Sequence, residues 1–454
     1  MSFRKDFVWG AAAASYQVEG AVNEDGCGAS VWGMLCRKPG AVWNGQSGEV
    51  ASDHYHRYKE DVALMKTLGL KAYRLSVSWP RVLPEGTGRV NAKGLAFYDR
   101  LIDELLAAGV APYVTLFHWD YPYELYCRGG WLNPDSPDWF AAYAKVVAEK
   151  LGDRVKHWMT LNEPQCFIGL GHQDGVHAPG DKLGFTEVLR AGHHALLAHG
   201  KGVQSIRAAS KGACSIGLAP VGSISAPVSE KPEDVAAARQ AIFSVTAKNC
   251  WSNTWWMDPI FLGRYPEDGE KLFAAEMPPI GPTDLKTISQ PLDFFGVNIY
   301  GGQFVRAGAD GRPEPVPYPA GHPITAFYWY VQPEALYWGP RFFHERYKLP
   351  VYITENGMSC LDWVALDGKV HDPQRIDFTR RYLLQLRKAA ADGVDVRGYF
   401  HWSIMDNFEW AEGYKHRFGM IHVDYPTGTR TIKDSGWWYK GVIAANGANL
   451  DEKD

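Results

Sequence analysis

Two short stretches place an acid where an apolar run ends. In VYITENG, residues 351–357, four strand-forming residues lead into Glu355, Asn356 and Gly357. In HWMTLNEP, residues 157–164, a mostly apolar run closes on Asn162 and Glu163. Such an acid points into water or into a site, and neither tripeptide alone says which. If folding brings the two together, the pair has a definite chemistry. Cleavage of a glycosidic bond needs one carboxylic acid to protonate the departing oxygen and one carboxylate to act beside it.

The elements that must position the pair are legible from periodicity. Eight β-branched or aromatic runs stand out: Phe7–Gly10, Ala72–Val77, Pro112–Leu116, His157–Leu161, Cys214–Ala219, Asp293–Asn298, Val351–Thr354 and Val396–Phe400. Amphipathic helical patterns separate most of them. In Asn91–Ala108, Leu95, Tyr98, Ile102 and Leu105 share a face, Asn91 is placed to cap the start and Gly109 to stop it. Trp139, Tyr143, Val147 and Leu151 mark another helix, and a third opens with Asp372 as cap and Pro373 at the first helical position. This alternation predicts an α/β fold: a single (β/α)8 TIM barrel, residues 1–454 forming one catalytic domain. Long connections after Gly10, around Thr287 and from 301 to 325 read as loops over the C-terminal face of the strands.

In such a barrel every strand opens at its C-terminus on the same face, so the residues just past each run become neighbours. They are Gln17, His118, Trp119, Asn162, Glu163, Asn298, Tyr300, Glu355 and Trp402, with Arg74 inside the second run. Strands four and seven lie roughly opposite each other, which sets the two acids across a common mouth with amides and indoles between them.

Composition narrows the ligand. The 18 Trp, 23 Tyr and 20 Phe exceed what packing alone demands and suit a ligand with flat apolar faces, such as a sugar. A net charge of -4 without a basic run argues against nucleic acid. No stretch approaches the roughly 18 apolar residues of a membrane span, and Ala11–Ala14 is too short for a signal-peptide core. Seven scattered cysteines without a C-x-x-C fit reduced thiols and a cytoplasmic protein. His54 with His56, and His193 with His194 and His199, lack metal-site spacing, and no glycine-rich stretch follows a strand, so no metal and no cofactor are implied. The oligomeric state is left open.

The sequence blocks FVWGAAAASYQVEG, YRLSVSWPR, FHWD, TLNEP, DFFGVNIY, YITENG and HWSIMDNFEWAEGY resemble, in order and over nearly the whole chain, the signatures of glycoside hydrolase family 1, the β-glucosidase family. The resemblance implies a retaining mechanism with Glu163 as general acid/base and Glu355 as nucleophile, the latter stabilised by Arg74 and Tyr300. It also implies glycone contacts from Gln17, His118, Trp119, Asn162, Asn298, Glu409 and Trp410, an indole under the sugar from Trp402, a glycone wall at Phe418 and an aglycone platform at Trp329. The chain departs from the family pattern at Ile299, Tyr121 and Gly33, and none of these removes an acid or a glycone contact.

The implied substrate is a small-molecule β-glycoside ending in glucose, with β-galactose or β-fucose also tolerated. Relatives acting on 6-phosphosugars lack an acid at the position of Glu409, so its presence points to a neutral sugar. Transglycosylation at the same site, or a catalytically silent sugar-binding homologue, are the competing readings, and retention of both acids disfavours the second.

Overall fold

The computed structural model describes residues 2–452. Each of the eight predicted runs forms a strand: Val8–Ala12, Ala72–Ser76, Ala111–Phe117, His157–Asn162, Ser215–Ala219, Phe295–Asn298, Val351–Asn356 and Val396–Trp402. Neighbouring strands pair in parallel, and the first pairs with the eighth, Val8 opposite Gly398. The remaining seam, between the fifth and sixth strands, is drawn together by Asp293 N–H donating to Ile216 O at 2.9 Å and Gly222 N–H to Asn298 O at 2.8 Å. Glycines permit the close approach there: a Cβ on Gly296 would lie 2.4 Å from Leu218 O. The strands are apolar along their length because helices cover the outside and side chains fill the inside. Tyr73, Val114, Leu116, Trp158 and Ile353 are all buried.

The predicted helices are also present, at Ala92–Ala107, Ser136–Leu151 and Pro373–Ala391, and Gly109 follows the first of them at φ 76°. The expected caps are not. Asn91 turns its amide away from the helix and donates to Arg81 O at 2.9 Å and Asp25 O at 3.0 Å. Asp372 accepts from Ser435 N–H at 2.8 Å and from its hydroxyl at 2.6 Å, and pairs with the buried Arg375. In both cases a tertiary partner has displaced the local bond.

Two of the expected loops are structured. Within 301–325, Gly302–Ala307 pairs antiparallel with Pro313–Val316 and in parallel with Ile224–Pro227, giving a three-stranded sheet beside the barrel. Its glycines and prolines mask the strand pattern in the sequence. Thr287 lies in a short helix, Asp284–Ile288, packed on Phe185–Ala209 and leading into the start of the sixth strand, so this segment does not cover the mouth.

The strands that carry the acids are irregular where it matters. The fourth shifts register against the fifth between Met159 and Asn162, and the seventh shifts against the sixth between Ile353 and Glu355. Such shifts bend a strand and re-aim the side chain that follows.

If Asp372 serves the buried ion pair rather than the helix end, Asp372→Ala should lower the unfolding free energy in a denaturant titration by about 3 kcal/mol or more, the cost of stranding a buried charge. A loss of only about 1 kcal/mol would be that of a cap.

Candidate active site

Arg74, on the second strand, is buried at the base of the mouth, and its hydrogen bonds there reach the third, fourth and seventh strands. Its Nε donates to Thr115 Oγ1 at 3.2 Å, Nη2 to Asn162 Oδ1 at 2.6 Å, and Nη1 to Thr354 O at 3.2 Å as well as to the carboxylate of Glu355. The Tyr300 hydroxyl donates to the other oxygen of Glu355 at 2.7 Å. Burial pushes Glu355 up, and Arg74 and Tyr300 draw it back toward ionisation. Tyr300 itself lies well above the ordinary phenol range, through burial and the charge of Glu355, and so stays a donor.

Glu163 meets a different environment. Its Oε1 accepts from the neutral amide of Asn298 at 2.9 Å. That amide is oriented by Thr354, whose hydroxyl donates to Asn298 Oδ1 at 2.6 Å and leaves Nδ2 for Glu163 and for Asn162 Oδ1, the latter at 3.0 Å. Burial first, and the neighbouring Glu355 second, push Glu163 up to about 8. Two glutamates of the same intrinsic acidity are thus separated by their partners: a cation and a phenol on one, an amide on the other.

The two acids open into a cavity of about 390 Å³, a size that suits a small ligand. Of the residues expected at the site, His118, Trp119, Asn298, Tyr300, Trp329, Trp402, Glu409, Trp410 and Phe418 line it together with Glu163 and Glu355. Gln17, Arg74 and Asn162 stand behind this lining. Gln17 donates to Phe408 O at 2.8 Å and Asn407 Oδ1 at 3.0 Å, which fixes the segment bearing Glu409, while its buried Oε1 takes no protein bond. Asn162 Nδ2 lies 3.0 Å from His118 Nε2. With that nitrogen accepting, the His118 proton sits on Nδ1, and burial with Arg74 nearby holds His118 well below its usual range, hence neutral. The Trp119 indole N–H donates to Asn162 O at 3.0 Å. At the rim, Trp329 packs 5.2 Å from Tyr300 and 6.2 Å from Phe418, with part of its ring exposed.

Several lining residues went unread in the sequence. Cys166 sits against Glu163, Phe327 packs 4.6 Å from Trp329, and Val221 and Ser223, just past the fifth strand, line the cavity with Trp251. Phe327 adjoins a named aromatic and could have been found; the others carry no local signal. Trp119, Glu163, Tyr328 and Trp410 hold positive φ values of 79°, 47°, 62° and 50°. Side chains in that region are strained, and all four are in or beside the mouth, as at many functional sites.

The chain matches the model of glycosyl hydrolase family 1 over residues 1–448. It is 45% identical over 446 residues to beta-glucosidase A of Thermotoga maritima, covering 98% of each chain. It is also 45% identical over 446 residues to 1,4-beta-D-glucan glucohydrolase of Thermotoga neapolitana, covering 98% of this chain and 99% of the relative. A solved structure of the beta-glucosidase from Thermotoga maritima in complex with glucoimidazole superposes with a TM-score of 0.89 at 45% identity, over 98% of this chain and 99% of that one.

The electrostatic account of Glu163 is open to direct titration. Followed by its carboxyl carbon resonance, Glu163 should titrate at about 8, and Glu355→Gln should lower its midpoint by removing the negative neighbour. A midpoint that does not move would assign the whole effect to burial.

Proposed function

This chain belongs to glycosyl hydrolase family 1 and is a retaining β-glucosidase; within it we propose that Glu355 is the nucleophile and Glu163 the general acid/base. The observation that carries this assignment is the unequal pairing of the two acids, Glu355 with the cation of Arg74 and the phenol of Tyr300, Glu163 with the neutral amide of Asn298.

In the first step the Glu355 carboxylate attacks the anomeric carbon as the glycosidic C–O bond breaks, and Glu163 gives its proton to the departing oxygen. The products are a glycosyl ester on Glu355 and a free alcohol. Esterification removes the Glu355 charge, the second of the two causes that raise Glu163, so Glu163 is now stable as a carboxylate. In the second step it takes a proton from water, whose oxygen attacks the same carbon from the face the aglycone left as the C–O bond to Glu355 breaks and the carboxylate is released. Glucose departs with its original configuration and both acids return to their starting states.

The remaining residues hold the sugar in this reading. Trp402 offers an indole face, and Gln17, His118, Trp119, Asn162, Asn298, Glu409 and Trp410 orient the hydroxyls, with Phe418 as a wall and Trp329 outside the scissile bond. Burial and the charges of Glu355 and Glu163 push Glu409 up to about 8. Hydroxyls donating to it would favour its ionised form, and a phosphate there would meet three carboxyl groups. We therefore propose a neutral glucoside as substrate, with β-galactosides and β-fucosides accepted, and release of glucose from cello-oligosaccharides during cellulose degradation. The whole chain acts as one catalytic unit in this reading. Seven unpaired cysteines support a cytoplasmic setting.

The experiment is hydrolysis of aryl β-glycosides beside cellobiose, laminaribiose and gentiobiose. Aryl β-glucoside should be cleaved well and its 6-phosphate barely, and Glu409→Ser should lower kcat/KM on the neutral substrate at least about tenfold, roughly one charge-assisted hydrogen bond. Preference for the 6-phosphorylated substrate would overturn the substrate assignment.

A further inference from the structure

Large apolar side chains left in solvent are scattered over this molecule, except at one place. There Leu366 is fully exposed, Tyr328, Leu361 and Trp363 are exposed by 80%, 72% and 71%, and Ile324 and Val364 are about half exposed, the densest such group among the described residues. They come from two loops, one after Pro313–Val316 and one after the seventh strand, and Ala326 N–H donates from the first to Ser359 O of the second at 3.2 Å. A groove of about 660 Å³ runs between the loops, lined by Ile324, Thr325, Met358, Leu361, Trp363 and Gln374.

The exposure is held in place. Asp362 buries its carboxylate against Lys433 Nζ at 2.6 Å and Arg375 Nη2 at 2.7 Å, and Leu361 and Trp363 on either side of it are turned outward. Ala365 N–H donates to Lys369 O at 2.7 Å and Gly368 N–H to Ala365 O at 2.9 Å, closing a tight turn with Gly368 at φ 78° and Leu366 near its tip. Tyr328, at a positive φ of 62°, donates its N–H to Thr325 O at 2.9 Å. Apolar side chains fixed in water by an ordered backbone form a built surface.

Its extent is that of an interface. The two rings and four aliphatic side chains expose on the order of 700 Å² together, above the roughly 300 to 600 Å² of the largest apolar patch on an ordinary monomer and close to the roughly 800 Å² that each partner contributes to a stable complex. Chemistry selects the occupant. Branched aliphatic side chains offer a sugar no hydrogen bonds, and Asp367 and Asp434 at the edge would repel an anionic membrane surface. The edge is balanced in sign: His371 lies between Asp434 at 2.6 Å and Asp367 at 3.0 Å, which raise it toward its charged form, and Lys369 adds a second cation. A face of one sign would repel its own copy, whereas a balanced one can meet itself. Shape agrees, because Leu366 protrudes beside an open groove, so a two-fold axis next to the turn seats each tip in the groove of the other copy.

We propose that this face is the contact surface of a symmetric homodimer, with Leu366 and Trp363 of each copy packing into the groove of the other. The apolar side chains form the centre of the contact, and Asp367, Lys369 and His371 form its polar edge. Tyr328 directly precedes Trp329, so the pairing also covers the outer side of the loop that carries this rim aromatic.

Sedimentation equilibrium of the full chain from about 1 to 100 μM tests the proposal. The wild type should reach twice the 50.7 kDa of one chain. Leu366→Asp places a carboxylate in each groove and should weaken association at least about tenfold, and Trp363→Ser should do the same through lost apolar contact. Both positions are exposed, so undiminished cleavage of an aryl β-glucoside shows that the variants are folded, and Leu106→Glu, at an exposed position on the helix Ala92–Ala107, should leave the dimer intact. A wild type of one-chain mass throughout that range, or a dimer that neither Leu366→Asp nor Trp363→Ser weakens, would overturn the proposal. So would a one-chain wild type that is retained by microcrystalline cellulose or by phosphatidylcholine vesicles and released by Leu366→Asp, which would give the face to a polysaccharide or to a lipid surface.

Discussion

One buried guanidinium organises the centre of this protein. Arg74 reaches the third strand through Thr115, the fourth through Asn162 and the seventh through Thr354 and Glu355. A charge taken so far from water persists only when its donors are matched by acceptors. Here the matching acceptors are the residues that must be aligned at the mouth. Closing the barrel around Arg74 and aligning the pocket are therefore the same event.

The asymmetry between the acids follows from the same centre. Arg74 lies on one side, so Glu355 receives a cation, while Glu163 is reached through two amides in series, Asn162 and Asn298, and remains with a neutral donor. Thr354 completes the arrangement by fixing which end of Asn298 faces Glu163. In a low-dielectric pocket a small difference in partners separates two carboxyl groups widely, and the pair needs no metal-like group to divide the roles of acid and base.

Much of this was legible in the sequence. The strand runs and helix faces are repeated patterns of period 2 and 3.6, so strand order and the common mouth followed, and with them Gln17, His118, Asn162, Asn298 and Glu355 as neighbours. What escaped has a physical reason in each case. The side chains of Asn91 and Asp372 were assigned to helix ends by local rules, but long-range partners outcompeted the caps. The sheet at Ile224–Pro227, Gly302–Ala307 and Pro313–Val316 is short, partly exposed and interrupted by glycine and proline, so it shows no alternation. Trp251 reaches the cavity because Cys250 and Asn249 fix its loop, and such three-dimensional packing leaves no spacing in the chain. The register shifts just before Glu163 and Glu355 were likewise invisible, since a bulge changes pairing and not composition.

The central claim, that environment makes Glu355 the nucleophile and Glu163 the acid/base, is tested most directly by the stereochemistry of azide rescue. Azide is a small anion that can enter the space left by a truncated carboxylate. In Glu355→Gly with an activated aryl β-glucoside it should attack the anomeric carbon directly and yield the inverted α-glucosyl azide. In Glu163→Ala the ester on Glu355 still forms, and azide should release it as the retained β-glucosyl azide. Proton NMR of the two products distinguishes them. The assignment predicts α from the first variant and β from the second, and the reverse pair would contradict it.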